Sequence, residues 1–149
     1  MSIEDDVALL ERVPTLRLLG TAALRMLAIG SEQRDVARDD VLFSIGDDAD
    51  SGFIVQHGTF QISFEDGSGA EIVAGPGALI GELALVVPMQ RPATAVALEH
   101  CSVIRIARSL FQRVLESDPA AARRLRDEFA SRTSQIASDI VMAGAKLST

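Results

Sequence analysis

Between Arg34 and Ala107 the chain is written in short β-prone runs separated by glycines and polar turns: "VLFSI", "GFIVQHG", "TFQISF", "EIVAG", "ATAVAL" and "SVIRIA". Their spacing, and the turn residues between them, predict a small antiparallel barrel or double-sheet roll. "FEDGSGAE" reads as a hairpin tip with Gly67 and Gly69 available for positive φ. "IGDDADSG" reads as a longer acidic turn. Its Asp47, Asp48 and Asp50 lack the spacing and the terminal bidentate glutamate of a calcium loop, so the reading is a solvated turn.

Helical periodicity flanks this region on both sides. From Ile3 to about Ile29 the residues Val7, Leu10, Leu16, Leu19, Leu24, Leu27 and Ala28 recur at helical spacings, with Pro14 and Gly20 as interruptions. Two or three short amphipathic helices are predicted, with Thr21 as the N-cap of the second. After the β region, "RSLFQRVLES" predicts one short helix opened by Arg108 and Ser109. "SDP" then sets Asp118 as N-cap and Pro119 at the first position of a last helix running to about Lys146. Along it Phe129, Thr133, Ile136, Ile140, Ala143 and Leu147 make one apolar seam that needs a partner surface. The expected architecture is mainly β: an antiparallel β-roll of the double-stranded β-helix, jelly-roll-like kind. It forms one domain over 1–149, with N-terminal helices at 1–31, the roll at 32–107 and two C-terminal helices at 108–149.

Bulk properties narrow the function classes. A chain of 149 residues, 48% hydrophobic and 23% charged, buries a core without staples. The net charge of −7 and pI near 4.7 oppose binding to nucleic acid or anionic lipid, so neither partner is expected. Cys101 is the sole cysteine, which rules out an internal disulfide and any multi-cysteine metal site and suits a reducing compartment. The opening "MSIEDDVALLERV" is acidic and no apolar run approaches a membrane span, so a cytoplasmic protein is expected.

The stretch "IGELALVVPMQRPAT", residues 80 to 94, sets one Glu and one Arg in an apolar run. Isolated charges are costly to bury, whereas charges gathered round a polar ligand are satisfied by it. Gly81 opens a single helical turn at "GELAL", whose first N–H groups have no internal partner and favour an anion. Arg91 supplies a planar fork suited to phosphate, and the Glu82 carboxylate suits a sugar hydroxyl. From spacing alone a second reading stays open: Glu82 and Arg91 pair with each other at the rim of the roll.

These residues closely resemble the cyclic nucleotide-binding domain family, shared by kinase regulatory subunits, cyclic nucleotide-gated channels and catabolite activator transcription factors. The family's phosphate-binding cassette reads Phe-Gly-Glu-Leu-Ala-Leu, five variable residues, then Arg-Ala-Ala-Thr; here stand "IGELAL", "VVPMQ" and "RPAT". The resemblance extends to "LLERVPTLRLL", "DDVLFSIGDDADSGFIVQHGTFQIS" and "VIRIARSLFQRVLESDP". It implies that Arg91 binds the cyclic phosphate and Glu82 accepts the ribose 2′-hydroxyl. The backbone of Gly81, Leu83 and Ala84 lines the sugar-phosphate, and Thr94 sits by the base or the phosphate unless it is an ordinary strand residue. Pro92 departs from the pattern and supplies neither an N–H nor a hydroxyl, which lowers affinity and favours cAMP over cGMP. With no Trp or Tyr, a base cap is sought among Phe129, Thr133, Ile136 and Ile140, each of which has packing against the roll as its plainer role.

The implied function is a non-catalytic sensor with a cyclic nucleotide as ligand, no cofactor and no metal. It relays occupancy through the C-terminal helix to an effector protein or a homodimer interface. Three other classes compete with it. His57 and His100 lack carboxylates at metal spacing, which disfavours a cupin-type metalloenzyme. A DNA-associated regulator needs a helix-turn-helix after Thr149, and Arg123, Arg124 and Arg126 read as a solvated helix face. A scaffold with a vestigial site would use the final seam as its working surface.

Overall fold

The computed structural model describes residues 2–64, 69, 71–128 and 130–131. The proposed base caps Phe129, Thr133, Ile136 and Ile140, like Gly67, Ala143 and Leu147, lie outside the described residues.

Three helices come first: α1 (Ile3–Glu11), α2 (Pro14–Arg17) and α3 (Thr21–Gly30). Pro14 opens α2 at its first position, where its missing N–H costs nothing. Gly20, not Thr21, is the N-cap of α3. Its φ of +86° swings the chain from one helix into the next, a conformation open to glycine and strained for threonine, so Thr21 becomes the first helical residue. Val7, Leu10, Leu16, Leu19, Leu24 and Leu27 are buried in one cluster, as their periodicity predicts.

Among the described residues ten strands follow: β1 (Glu32–Val36), β2 (Val41–Phe43), β3 (Asp48–Ala49), β4 (Ser51–His57), β5 (Phe60–Phe64), β6 (Glu71–Ala74), β7 (Leu79–Ile80), β8 (Met89–Gln90), β9 (Ala93–Ala97) and β10 (Cys101–Ala107). They form two four-stranded antiparallel sheets, ordered β1-β10-β4-β7 and β2-β9-β5-β6, and a two-stranded ribbon β3-β8. This is the expected β-roll. Strands β4 and β10 are buried on both faces. Phe53, Val55 and Val103 point between the sheets while Ile54, Ile104 and Ile106 point at the helices, which is why apolar residues stand side by side in these strands, with Arg105 the interruption in β10.

The acidic turn is more ordered than expected, because Asp48 and Ala49 pair with Gln90 and Met89. That pairing draws the start of the roll against the end of the cassette. Helix α4 spans Arg108–Ser117, beginning at Arg108 as predicted, with Ala107 as its N-cap. Asp118 caps the next helix, its Oδ1 accepting from the N–H of Ala121 at 3.2 Å, and residues 119–128 are helical. Arg124 is not merely solvated: its Nε donates to the carbonyl of Leu18 at 2.8 Å and ties this helix to the end of α2.

Candidate functional site

The sequence "GELAL" folds as predicted into one tight turn. Gly81 takes a left-handed conformation (φ +79°, ψ +36°) and Glu82–Leu85 form a 3-10 helix behind it. Ala84 and Leu85 are buried and anchor the turn, and Leu85 belongs to the same cluster as Phe111 and Val114 of α4. Leu83 projects the other way and is half exposed. The chain returns through β8 to Arg91, whose backbone is locked on both sides. Its N–H donates to Asp47 O at 2.7 Å, and its carbonyl accepts from the N–H of Gly46 at 2.9 Å.

Arg91 is only 5% exposed. Its Nη2 donates to the carbonyl of Ser51 at 2.9 Å and lies 3.3 Å from the Ser51 hydroxyl. Its guanidinium carbon stands 4.3 Å from the centre of the Phe43 ring and 5.5 Å from that of Phe53, a cation–π cradle on two sides. Nε and Nη1 are buried without a hydrogen-bond partner, and among the described residues no carboxylate lies within ion-pair distance. Burial pulls the guanidinium below the usual arginine range, opposed chiefly by the charge of Asp50. Arginine keeps its proton through such a shift, so a positive charge with two unused donors faces the interior.

Arg91 helps to line a cavity of about 490 Å³, walled by β5, β6, β7 and the 3-10 turn. Ile62, Phe64, Ile72, Val73 and Ala78 form its apolar side, and Pro92 and Ala93 close the end near Arg91. Of the described residues lining it, only Glu82 and Arg91 carry polar side chains. The volume is that of a small-molecule site, and the pattern calls for a ligand with one apolar ring system and one anionic group. Ile72 and Val73 are 55% and 63% exposed, so the apolar wall opens to solvent at its mouth.

Glu82 and Arg91 do not serve each other. Arg91 turns to Ser51, and Glu82 Oε1 accepts from the hydroxyl of Thr15 in α2 at 2.5 Å. Gly81, Glu82, Leu83, Ala84, Arg91 and Pro92 thus meet around one cavity. Thr94 stands apart from that lining, and its hydroxyl accepts from the N–H of Ile45 at 2.9 Å, which pins the turn after β2. His57 and His100 are exposed at the far side of the roll. Cys101 is fully buried and its thiol is pushed up by burial, in keeping with an inert core residue.

Two contributors were missed in reading the sequence. Thr15 left no signal, being one threonine among helical apolar residues. Arg108 did leave one: a cation in the first turn of a helix is opposed by the helix dipole. Its Nη1 lies 2.9, 3.2 and 3.1 Å from the carbonyl oxygens of Ala49, Ala84 and Val87, so it clamps the 3-10 turn and β3 to the start of α4. Replacing Arg108 by Met is expected to raise amide exchange across residues 82–87 by about tenfold, the effect of losing hydrogen bonds to one charged donor. Hydrogen-exchange mass spectrometry reads that change directly.

Comparison with known proteins agrees with this geometry. The family model described as cyclic nucleotide-binding domain matches residues 33–118. A cAMP-dependent protein kinase regulatory subunit of Eremothecium gossypii is 34% identical over 106 residues, covering 70% of this chain and 23% of that protein. The chain therefore spans about a quarter of the length of that curated relative. Among solved structures, the N-terminal domain of a transcriptional regulator from Streptomyces coelicolor superposes with a TM-score of 0.80 at 29% identity, covering 89% of this chain and 94% of that one. A cyclic nucleotide-binding-like protein from Brucella abortus is 37% identical with a TM-score of 0.67, covering 75% and 98%. With the family match running from β1 to the residue that caps the last helix, and the buried arginine and the 3-10 turn inside it, this chain belongs to the cyclic nucleotide-binding domain family.

Proposed function

We propose that residues 1–149 act as a single non-catalytic sensor domain for a cyclic nucleotide, with cAMP preferred to cGMP. The observation that carries the reading is Arg91: a buried cation in the lining of an apolar cavity, with Nε and Nη1 lacking a hydrogen-bond partner. A cyclic phosphate supplies the missing acceptors, through charge-assisted hydrogen bonds that contribute roughly 1.5–3 kcal/mol each. Glu82 accepts the ribose 2′-hydroxyl, and the purine packs on Ile62, Ile72, Val73 and Leu83. The preference for cAMP follows from that wall. Guanine carries two exocyclic polar groups, a carbonyl and an amine, where adenine carries one amine, and the apolar described residues around the base side give them no partner.

Occupancy reaches the C-terminal helices by two routes. Leu85 transmits it through packing against Phe111, with Leu115 beside that cluster, and Arg108 transmits it through the carbonyls it holds on the turn. Coupling requires that the ligand contact two arrangements of the turn differently, which phosphate capture at Arg91 provides. The output surface is the helix that begins at Pro119, through which an effector or a second copy is engaged.

Thermal melting with excess cAMP, cGMP or 5′-AMP tests the reading. A ligand at one hundred times its dissociation constant stabilises by about 2.7 kcal/mol, an upward shift of roughly 5–10 °C for a domain of this size. The expected order is cAMP, then cGMP, with no shift from 5′-AMP. Equal silence from all three would leave the cavity without its proposed ligand.

A further inference from the structure

We infer that the cavity admits one negative charge and no more, so that its ligands are monoanionic nucleoside phosphodiesters, cyclic or acyclic, to the exclusion of dianionic phosphomonoesters; this rests on the reading of Arg91 as the phosphate-binding residue. Among the described residues that line the cavity Arg91 is the one cation, and Glu82, the other charged residue, adds a negative charge. The neighbouring arginines are committed elsewhere and lie outside that lining. Arg105 pairs with Asp50 at 3.2 Å and with Glu32 at 3.8 Å, and Nη1 of Arg108 is held by three backbone carbonyls. Asp50 and Asp47 already act on the Arg91 guanidinium, against the opposing charge of Arg105. Part of its positive charge is therefore offset before a ligand arrives.

Donor count agrees with charge count. Nε and Nη1 of Arg91 are buried without a hydrogen-bond partner, whereas Nη2 is taken by Ser51. A phosphodiester has two non-bridging oxygens for those two donors. A phosphomonoester has three, and its second proton leaves at about pH 6, so that it is largely a dianion above neutrality. Pro92, directly after Arg91, has no N–H to offer the third oxygen. Backbone N–H groups of the 3-10 turn can bond an oxygen but bring no net charge, and an unpaired second charge among Ile, Leu, Phe and Ala side chains is costly. Esterification removes that charge, whether the ester closes a ring or carries a methyl group. The ring adds preorganisation, so cAMP remains the tightest ligand of the class.

Calorimetric dissociation constants of cAMP, 5′-AMP and the methyl ester of 5′-AMP, taken near pH 6 and pH 8 with displacement of cAMP for the weaker ligands, test this. The methyl ester is acyclic and stays monoanionic at both values. Near pH 8 it is expected to bind about tenfold or more tighter than 5′-AMP, of which only about one hundredth is then the monoanion. On moving to about pH 6 that fraction rises to about half, and 5′-AMP should gain about 50-fold in affinity. Affinities for cAMP and the methyl ester should stay within about twofold over the same range, since neither ligand titrates there and neither histidine lines the cavity. A methyl ester no tighter than 5′-AMP near pH 8 would show that the ring, not the charge, is selected, and would overturn the inference. So would a 5′-AMP affinity indifferent to pH, which would mean that the dianion is accommodated. In either case continued binding of cAMP would leave the proposed function standing. A protein that binds none of the three would lose both.

Discussion

Replacing Arg91 by Met should abolish the ligand-induced rise in melting temperature while leaving the ligand-free protein melting at or above the wild type. The two halves of this result have one cause. In the empty site the guanidinium bears the cost of burial, and its Nε and Nη1 have no acceptor to offset it. Exchange of buried ionic groups for apolar side chains of similar volume is often neutral, or stabilising by about 1–4 kcal/mol. Met also fits the surroundings, since Phe43 and Phe53 already flank the position and sulfur packs well on ring edges. With phosphate present the balance reverses. Losing two charge-assisted bonds at roughly 1.5–3 kcal/mol each lowers affinity by about 10²- to 10⁴-fold. Melting curves with and without cAMP give both numbers. A variant that melts far below the wild type would show that Arg91 is held for stability, and one that still shifts with cAMP would show that the phosphate lies elsewhere.

This stability–function opposition explains why the cassette was legible in the sequence. Gly81, Glu82 and Arg91 sit in one local stretch, where two charges in an apolar run ask for either a ligand or each other, and the resemblance to the family's cassette chose the ligand. Strands β4 and β10 were legible for a different reason: both faces are largely buried, so apolar residues stand next to one another, with Arg105 interrupting β10. Strand β1 was missed because Glu32–Asp35 are exposed at the edge of the sheet, where charge guards against stray pairing and erases any alternation. The two-residue strands β3, β7 and β8 are too short to carry a period at all. Thr15 and Arg108 lay beyond local reading because their partners arrive only through the fold: α2 reaches Glu82, and Arg108 reaches carbonyls that have no sequence signature. Gly20 displaced Thr21 as a cap for a related reason, since the sharp entry into α3 needs a positive φ more than it needs a hydroxyl.

Gly81→Ala should cost far more in binding than in stability. The backbone there is left-handed at φ +79°, and an L side chain in that region costs about 1–2 kcal/mol, a fall of roughly 3–6 °C in melting temperature. The larger effect comes from space. A Cβ at position 81 would lie 2.5 Å from Arg91 Nη1, one of the two donors left for the phosphate. Its next neighbour, the carbonyl of Ser51, is 3.5 Å away and in ordinary contact, so the guanidinium is the part that must yield. A moved guanidinium relieves the clash in the empty protein at little cost, yet it no longer presents Nη1 to the ligand. The fold should therefore survive with cAMP affinity reduced by about a hundredfold, the loss of one charge-assisted bond at roughly 3 kcal/mol. Gly81→Asn separates the two causes. Asn tolerates the left-handed region better than Ala, but it carries the same Cβ. Recovery of the melting temperature without recovery of binding would identify the close approach to Arg91, rather than backbone strain, as the reason a glycine stands at the start of the turn.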